Sequence, residues 1–138
     1  MKRRVVVTGL GVVTSLSCQV KDLWQRILGG ESGIHRLRCF DLEEFKVTIG
    51  GDIYDWDPHE YISPKEMKRV DRFTQFALVA GADAVRDSGL DFSQEDSFRC
   101  GVILGSGIGG LTEIEEQIGK LLTKGPSRVS AMTVPKMM

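Results

Sequence analysis

No stretch of these 138 residues approaches the roughly 18 consecutive apolar positions that a membrane-spanning helix needs, so no membrane insertion is expected. The basic start Met1-Lys2-Arg3-Arg4 has only a short apolar continuation, broken by Thr8, Gly9 and Gly11, and no small-residue cleavage site. It reads as the entry to a first strand rather than as a signal peptide. Cys18, Cys39 and Cys100 are odd in number and lack CxxC spacing, which points to free thiols in a reducing, cytoplasmic setting. His35 and Cys39 stand four apart, but His59 is remote, so no zinc ligand set assembles and no metal is expected. A formal net charge of −1 gives the overall balance no call for nucleic acid.

Other absences concern chemistry. Gly105-x-Gly107-x-x-Gly110, between an apolar run and a helical pattern, has the form of a dinucleotide fingerprint. Yet no Asp or Glu follows Glu116, whereas a dinucleotide ribose calls for an acid about 20 positions beyond the motif. No Gly-Lys-Ser/Thr follows either, which removes a phosphate loop. Tyr61 and Lys65 mimic the proton-relay pair of short-chain dehydrogenases, but a helix starting at Ser63-Pro64 leaves Tyr61 outside it. No Ser/His/Asp or Cys/His nucleophile arrangement can be assembled. Cys100 lies in a run that reads as a buried strand, and His35 and His59 lie in loops. No cofactor is expected.

What is present is ordinary for a globular chain of one domain's worth: 41% hydrophobic and 27% charged residues. Arg4 to Thr8 is β-branched and nearly continuous, the pattern of a strand buried on both faces. Lys21 to Leu28 predicts a helix stopped by Gly29-Gly30, and one short strand is expected near Val47 to Ile53. Asp71 to Ser88 predicts a long helix, apolar over most of its surface, whose alanines and Gly81 would admit a close neighbour. Cys100 to Leu104 predicts a central strand. It runs into a turn with four glycines in six residues, where Ile108 stands alone as a bulky apolar side chain. A helix follows from about Leu111 to Thr123, capped by Thr112 with Glu115, with Ile114, Ile118, Leu121 and Leu122 inward. Lys124-Gly125-Pro126 stops it.

Two stretches look outward. Ser63-Pro64-Lys65-Glu66 is a capping box with proline at the first helical position, and Lys65, Lys68, Arg69 and Arg72 then fall on one helix face. A solvated surface is the plain interpretation of that face. Val129 to Met138 is apolar to its end, so it is expected both to insert into a partner and to belong to the front portion of something longer.

Taken together, three pieces resemble one family. Arg3-Arg4-Val5-Val6-Val7-Thr8-Gly9-Leu10-Gly11, followed by Gly29-Gly30-Glu31-Ser32-Gly33-Ile34, is similar to the opening of β-ketoacyl-[acyl carrier protein] synthases, type II. Asp87-Ser88-Gly89-Leu90 and Gly105-Ser106-Gly107-Ile108-Gly109-Gly110-Leu111 are similar to their later landmarks. The likeness covers essentially the whole chain, and its specificity lies in the joint order and spacing.

The resemblance implies an α/β, thiolase-like fold. Residues 1–138 would be an incomplete N-terminal part of a layered α/β/α/β/α architecture, truncated before the nucleophile cysteine and normally homodimeric. It implies the condensing step of fatty-acid synthesis, in which an acyl chain passes from its carrier to a cysteine and malonyl carrier then loses CO₂ and attacks the thioester. None of Cys18, Cys39, Cys100, His35 or His59 matches the family's nucleophile or its two histidines, so no catalytic residue carries over. Ile108, with Gly107, matches the wall of the acyl pocket. Met132 and Thr133 stand where the family commonly has aromatics in a segment that closes a partner's pocket. Lys65, Lys68, Arg69 and Arg128 match positions that dock acyl carrier protein. A non-catalytic interaction module of the same fold is the alternative, with a nicotinamide-dependent oxidoreductase behind it.

Overall fold

A computed structural model describes residues 3–138. In chain order the elements are α1 (Val20–Leu28), strands β1 (His35–Arg36) and β2 (Ile49–Gly50), α2 (Pro64–Met67), α3 (Arg72–Ser88), α4 (Leu111–Lys124) and α5 (Thr133–Met137). Single 3-10 turns lie at Ser97–Arg99 and Pro126–Arg128. The chain packs as two units. The first runs through Asp57 and takes up Val79–Leu90, and the second holds Pro58–Leu78 and Asp91–Met138.

In the first unit, residues 9–11 lie against the second half of α3. Glycine is required there: a Cβ on Gly9 would strike the Ala84 carbonyl oxygen, and one on Gly11 the Ala80 carbonyl oxygen. The Leu10 N–H donates to the Asp87 carboxylate at 2.9 Å and fixes the approach. Of the small residues expected to admit a neighbour, Ala80 and Ala84 do so, while the space beside Gly81 is open. α1 ends at Gly29 as the sequence predicts, with the Gly29 N–H bonded to the Gln25 carbonyl at 2.9 Å and Gly30 at φ +71°. The short strand expected near Val47 to Ile53 forms at Ile49–Gly50, and it pairs antiparallel with a second, unexpected strand, His35 opposite Gly50 and Arg36 opposite Ile49. His35 therefore lies in a strand and not in a loop.

In the second unit, Pro58 and Ile62 are buried ahead of α2. The capping box forms as read: the Ser63 hydroxyl accepts from the Glu66 N–H at 3.3 Å, and the Glu66 carboxylate accepts from the Ser63 N–H at 3.1 Å. α2 stops at Met67, however, so the expected single basic face does not form. Asp71 starts a new helix by accepting the Arg72 N–H, and this places Arg72 on α3 over the Phe76 ring, 5.2 Å from its centroid. Gly89, at φ +66°, ends α3.

Further expectations are corrected. Residues Arg4 to Thr8 and Cys100 to Leu104 form no strand, and Val5 and Ile103 are 90% and 99% exposed. A strand exists through ladder bonds to a neighbour, and among the described residues neither segment has one. Cys100 is accordingly exposed, not buried. On α4, Thr112 is the second helical residue rather than the cap; Gly110 holds the cap position and offers no side chain. The inward face of α4 is also inverted. Its buried residues are Glu113 and Gln117, while Ile118, Leu121 and Leu122 are exposed, because the polar face packs on residues 130–137. The predicted stop holds, with Gly125 at φ +82° ahead of Pro126.

Candidate functional site

The glycine turn before α4 has an open half and a packed half. Nothing lies within 4 Å of where a Cβ would stand on Gly105 or Gly107. A Cβ on Gly109, by contrast, would strike the Met137 carbonyl oxygen, and one on Gly110 would strike the Asp71 carboxylate. Gly109 is at φ +80°, and its N–H donates to the Ser106 hydroxyl at 2.9 Å, which tightens the turn. Ile108 projects from this turn 71% exposed. A cavity of about 260 Å³ opens beside the turn, lined by Phe73, Thr74 and Ala77 of α3, by Leu104, Gly105 and Ser106, and by Met138. Its walls are mostly apolar, the lining a hydrocarbon tail would need.

The N-terminus of α4 is not free to hold a phosphate. The Asp71 carboxylate accepts the Glu113 N–H at 3.3 Å and sits where a pyrophosphate would have to go. This observation disfavours the dinucleotide interpretation of the glycine motif independently of the missing ribose acid.

Met132 is exposed at the start of α5, and the Thr133 hydroxyl donates to the Ser130 carbonyl at 2.6 Å. The segment carrying both is brought to the glycine turn through the Gly110 N–H, which donates to the Met137 carbonyl at 2.9 Å. Lys65, Lys68 and Arg69 are exposed on and just after α2. Glu66 among them is held below the usual carboxylate range by the Ser63 hydroxyl and the Ser63 N–H, so the capping box stays charged. Arg128 is exposed on the turn after α4 and lines a cavity of about 560 Å³ with Lys120 and Lys124. The sequence reading missed Lys120 and Lys124, although their i, i+4 spacing and their four-residue step to Arg128 were visible. It also missed the buried Glu113–Gln117 pair and Lys136, whose one signal was a lone charge in an apolar run.

In the first unit, a separate cavity of about 220 Å³ is bordered by Cys18, His35, Arg38 and Asp52, among others. His35 Nε2 contacts the Asp52 carboxylate closely, and His35 Nδ1 faces the Gly33 carbonyl at 3.1 Å. Both ring nitrogens are thus engaged by oxygen acceptors. The Arg38 N–H, donating to Asp52 at 2.9 Å, holds that carboxyl below its ordinary range; partial burial opposes this, and His35 reinforces it.

Comparison with solved structures places the chain in a class. It superposes on the ishigamide ketosynthase/chain length factor with a TM-score of 0.86 and 27% identity, over 100% of this chain and 34% of that one. A type II polyketide ketosynthase, solved in complex with its acyl-carrier protein, shares the fold with a TM-score of 0.77 and 21% identity, over 99% of this chain and 35% of that one. The fold is therefore that of the thiolase-like ketosynthases. Residues 2–138 match the family described as "Beta-ketoacyl synthase, N-terminal domain", and the chain belongs to it. The 3-oxoacyl-[acyl-carrier-protein] synthase 2 of Coxiella burnetii is 42% identical over 97% of this chain and 32% of its own length. The chain spans about a third of the length of the curated relatives it matches.

Proposed function

We propose that these residues form the N-terminal part of a 3-oxoacyl-[acyl-carrier-protein] synthase, an acyltransferase of fatty-acid elongation acting in the cytoplasm. The observation that carries the reading is the open half of the glycine turn on a chain of this family: Gly105 and Ser106 line an apolar cavity, and Ile108 projects exposed two residues further on. In the whole synthase, malonyl carrier loses CO₂, and the carbanion left on its α-carbon attacks an acyl thioester carbonyl. The carbon–sulfur bond breaks and the enzyme thiol is released. No residue here matches the nucleophile or its histidines, so the share of these residues is binding and positioning.

In this reading Gly107 and Ile108 wall the acyl tunnel. Met132 and Thr133 close the tunnel of a second copy across a homodimer boundary. A thioether and a small hydroxyl in place of aromatics leave that tunnel wider and more deformable. Lys65, Lys68, Arg69 and Arg128 dock an acidic acyl carrier protein; the names of the relatives and the solved ketosynthase–carrier complex support that partner.

Calorimetric titration with acyl carrier protein tests the docking surface. Lys65→Glu with Arg69→Glu is expected to weaken binding on the order of tenfold, and the wild-type affinity should fall as salt is raised. Affinity unchanged by both manipulations removes the docking surface from the reading.

A further inference from the structure

Residues 129–138 are apolar but for Ser130, Thr133 and a single charge, Lys136. The structure turns this segment the opposite way from what its composition suggests. The Ser130 N–H and the Lys136 ammonium reach α4, the Thr133 hydroxyl bonds back to the Ser130 carbonyl, and Met132 and Val134 are exposed. Three ties hold it. The Ser130 N–H donates to Gln117 Oε1 at 2.9 Å, Lys136 Nζ donates to Glu113 Oε2 at 3.1 Å, and the Gly110 N–H donates to the Met137 carbonyl at 2.9 Å. Positions 110, 113 and 117 are spaced by three and four, one face of a helix and its cap. Within that face, Gln117 Nε2 donates to Glu113 Oε1 at 3.0 Å, so the two side chains form one buried unit, 7% and 5% exposed.

A carboxylate this buried is tolerated only when its charge is paired and its oxygens are hydrogen-bonded. Glu113 meets both conditions, and the cation comes from the segment itself. The pair therefore works in both directions. It neutralises Glu113, and it spends the segment's only charge on pressing Lys136 down beside the glycine turn that carries Ile108.

We infer that Glu113 and Lys136 are positioning residues: their ion pair clamps residues 130–137 onto the glycine turn, fixes Met132 and Thr133 for the tunnel of the second copy that they close, and so sets which acyl tails fit there. The clause about acyl tails rests on the function proposed above; the clamp does not.

Amide hydrogen exchange on the 138-residue chain reads the clamp at Gly110, whose N–H is bonded to Met137. Lys136→Met and Glu113→Gln are each expected to speed exchange at Gly110 by about tenfold while leaving α1 unchanged, and Lys136→Arg should keep the wild-type rate. Unchanged exchange at Gly110 in both variants, or an equal acceleration through α1, overturns the clamp. In the intact synthase carrying these residues, Lys136→Met should shift the kcat/KM ratio of long over short acyl carriers by about tenfold, with KM for malonyl carrier unaltered. An unshifted ratio overturns the positioning role. A wild-type synthase without acyl transfer would instead strike the proposed function and leave the exchange result standing.

Discussion

The Asp71 carboxylate caps α4 from 42 residues away in sequence, accepting the Glu113 N–H at 3.3 Å. It does so because Gly110, at the cap position, has no side chain of its own to offer. One oxygen of Asp71 serves α4, and the other accepts the Arg72 N–H at the start of α3, so one side chain takes an N–H from the first turn of each of two helices.

Asp71→Ala removes both bonds at once and should lower the stability of the second unit by about 1–2 kcal/mol, the range of a lost N-cap. Asp71→Asn keeps an oxygen acceptor and should cost less. Urea unfolding followed by circular dichroism measures the difference. Equal stability of the alanine variant and wild type would mean that water replaces the carboxylate without loss.

Gly109→Ala should be the most damaging single substitution in the glycine turn. At φ +80° an alanine costs about 1–2 kcal/mol in backbone strain alone, and its Cβ would strike the Met137 carbonyl oxygen besides. Gly105→Ala and Gly107→Ala meet open space and carry no positive φ, so they should leave stability within about 1 kcal/mol of wild type. Thermal unfolding of the three variants separates a structural pair of glycines from a pair kept for access.

Asp52 gives the first unit an acid-sensitive joint. Its folded-state carboxyl titrates below the ordinary value, chiefly through the Arg38 N–H, so folding favours the ionised form. The contribution is complete above the unfolded value of about 3.9, and it is lost as pH falls through that value to the folded one. Carbon-detected titration of the Asp52 carboxyl should therefore show a midpoint below that of a model aspartate. Asp52→Asn should abolish the acid-side loosening of the β1–β2 hairpin, read by exchange at Leu37, whose N–H bonds Thr48 at 3.0 Å. A midpoint at the ordinary value would contradict the geometry.

The helices were legible because their signals are local. The Ser63 capping box, the Gly29 and Gly125 stops and the periodic Arg72–Ser88 each lie within a few residues of the structure they specify. The strand at Ile49–Gly50 was legible too, but the two long ones were not, since Val5–Val7 and Val102–Leu104 carry the right residues but need neighbours alongside before they become a sheet. On α4 the apolar periodicity was real but misleading. Glu113 and Gln117 are buried by partners at 130 and 136, a pairing no local window contains. The same limit hid Asp71 as a cap and led to Thr112 instead. In the site, the glycine turn and Ile108 were legible as a motif. Which glycines are open and which are packed was not, because Met137 and Asp71 decide it.

The 138-residue chain by itself should transfer no acyl group. Acyl transfer to a thiol needs a thiolate, a base or a positive field to form it, and donors for the oxyanion. Cys39 and Cys100 are exposed, and Cys18 Sγ is directed at the Thr14 carbonyl at 3.9 Å, with no base or cation bonded to it among the described residues. His35 has one ring nitrogen on Asp52 and the other facing Gly33, and no thiol is among its hydrogen-bond partners. Incubation with acyl carrier protein and malonyl carrier, followed by intact mass spectrometry, should show no acyl adduct on the chain and no 3-oxoacyl product. An adduct on Cys18, Cys39 or Cys100 that turns over when malonyl carrier is added would place a reactive centre within these residues and refute the division of labour proposed for them.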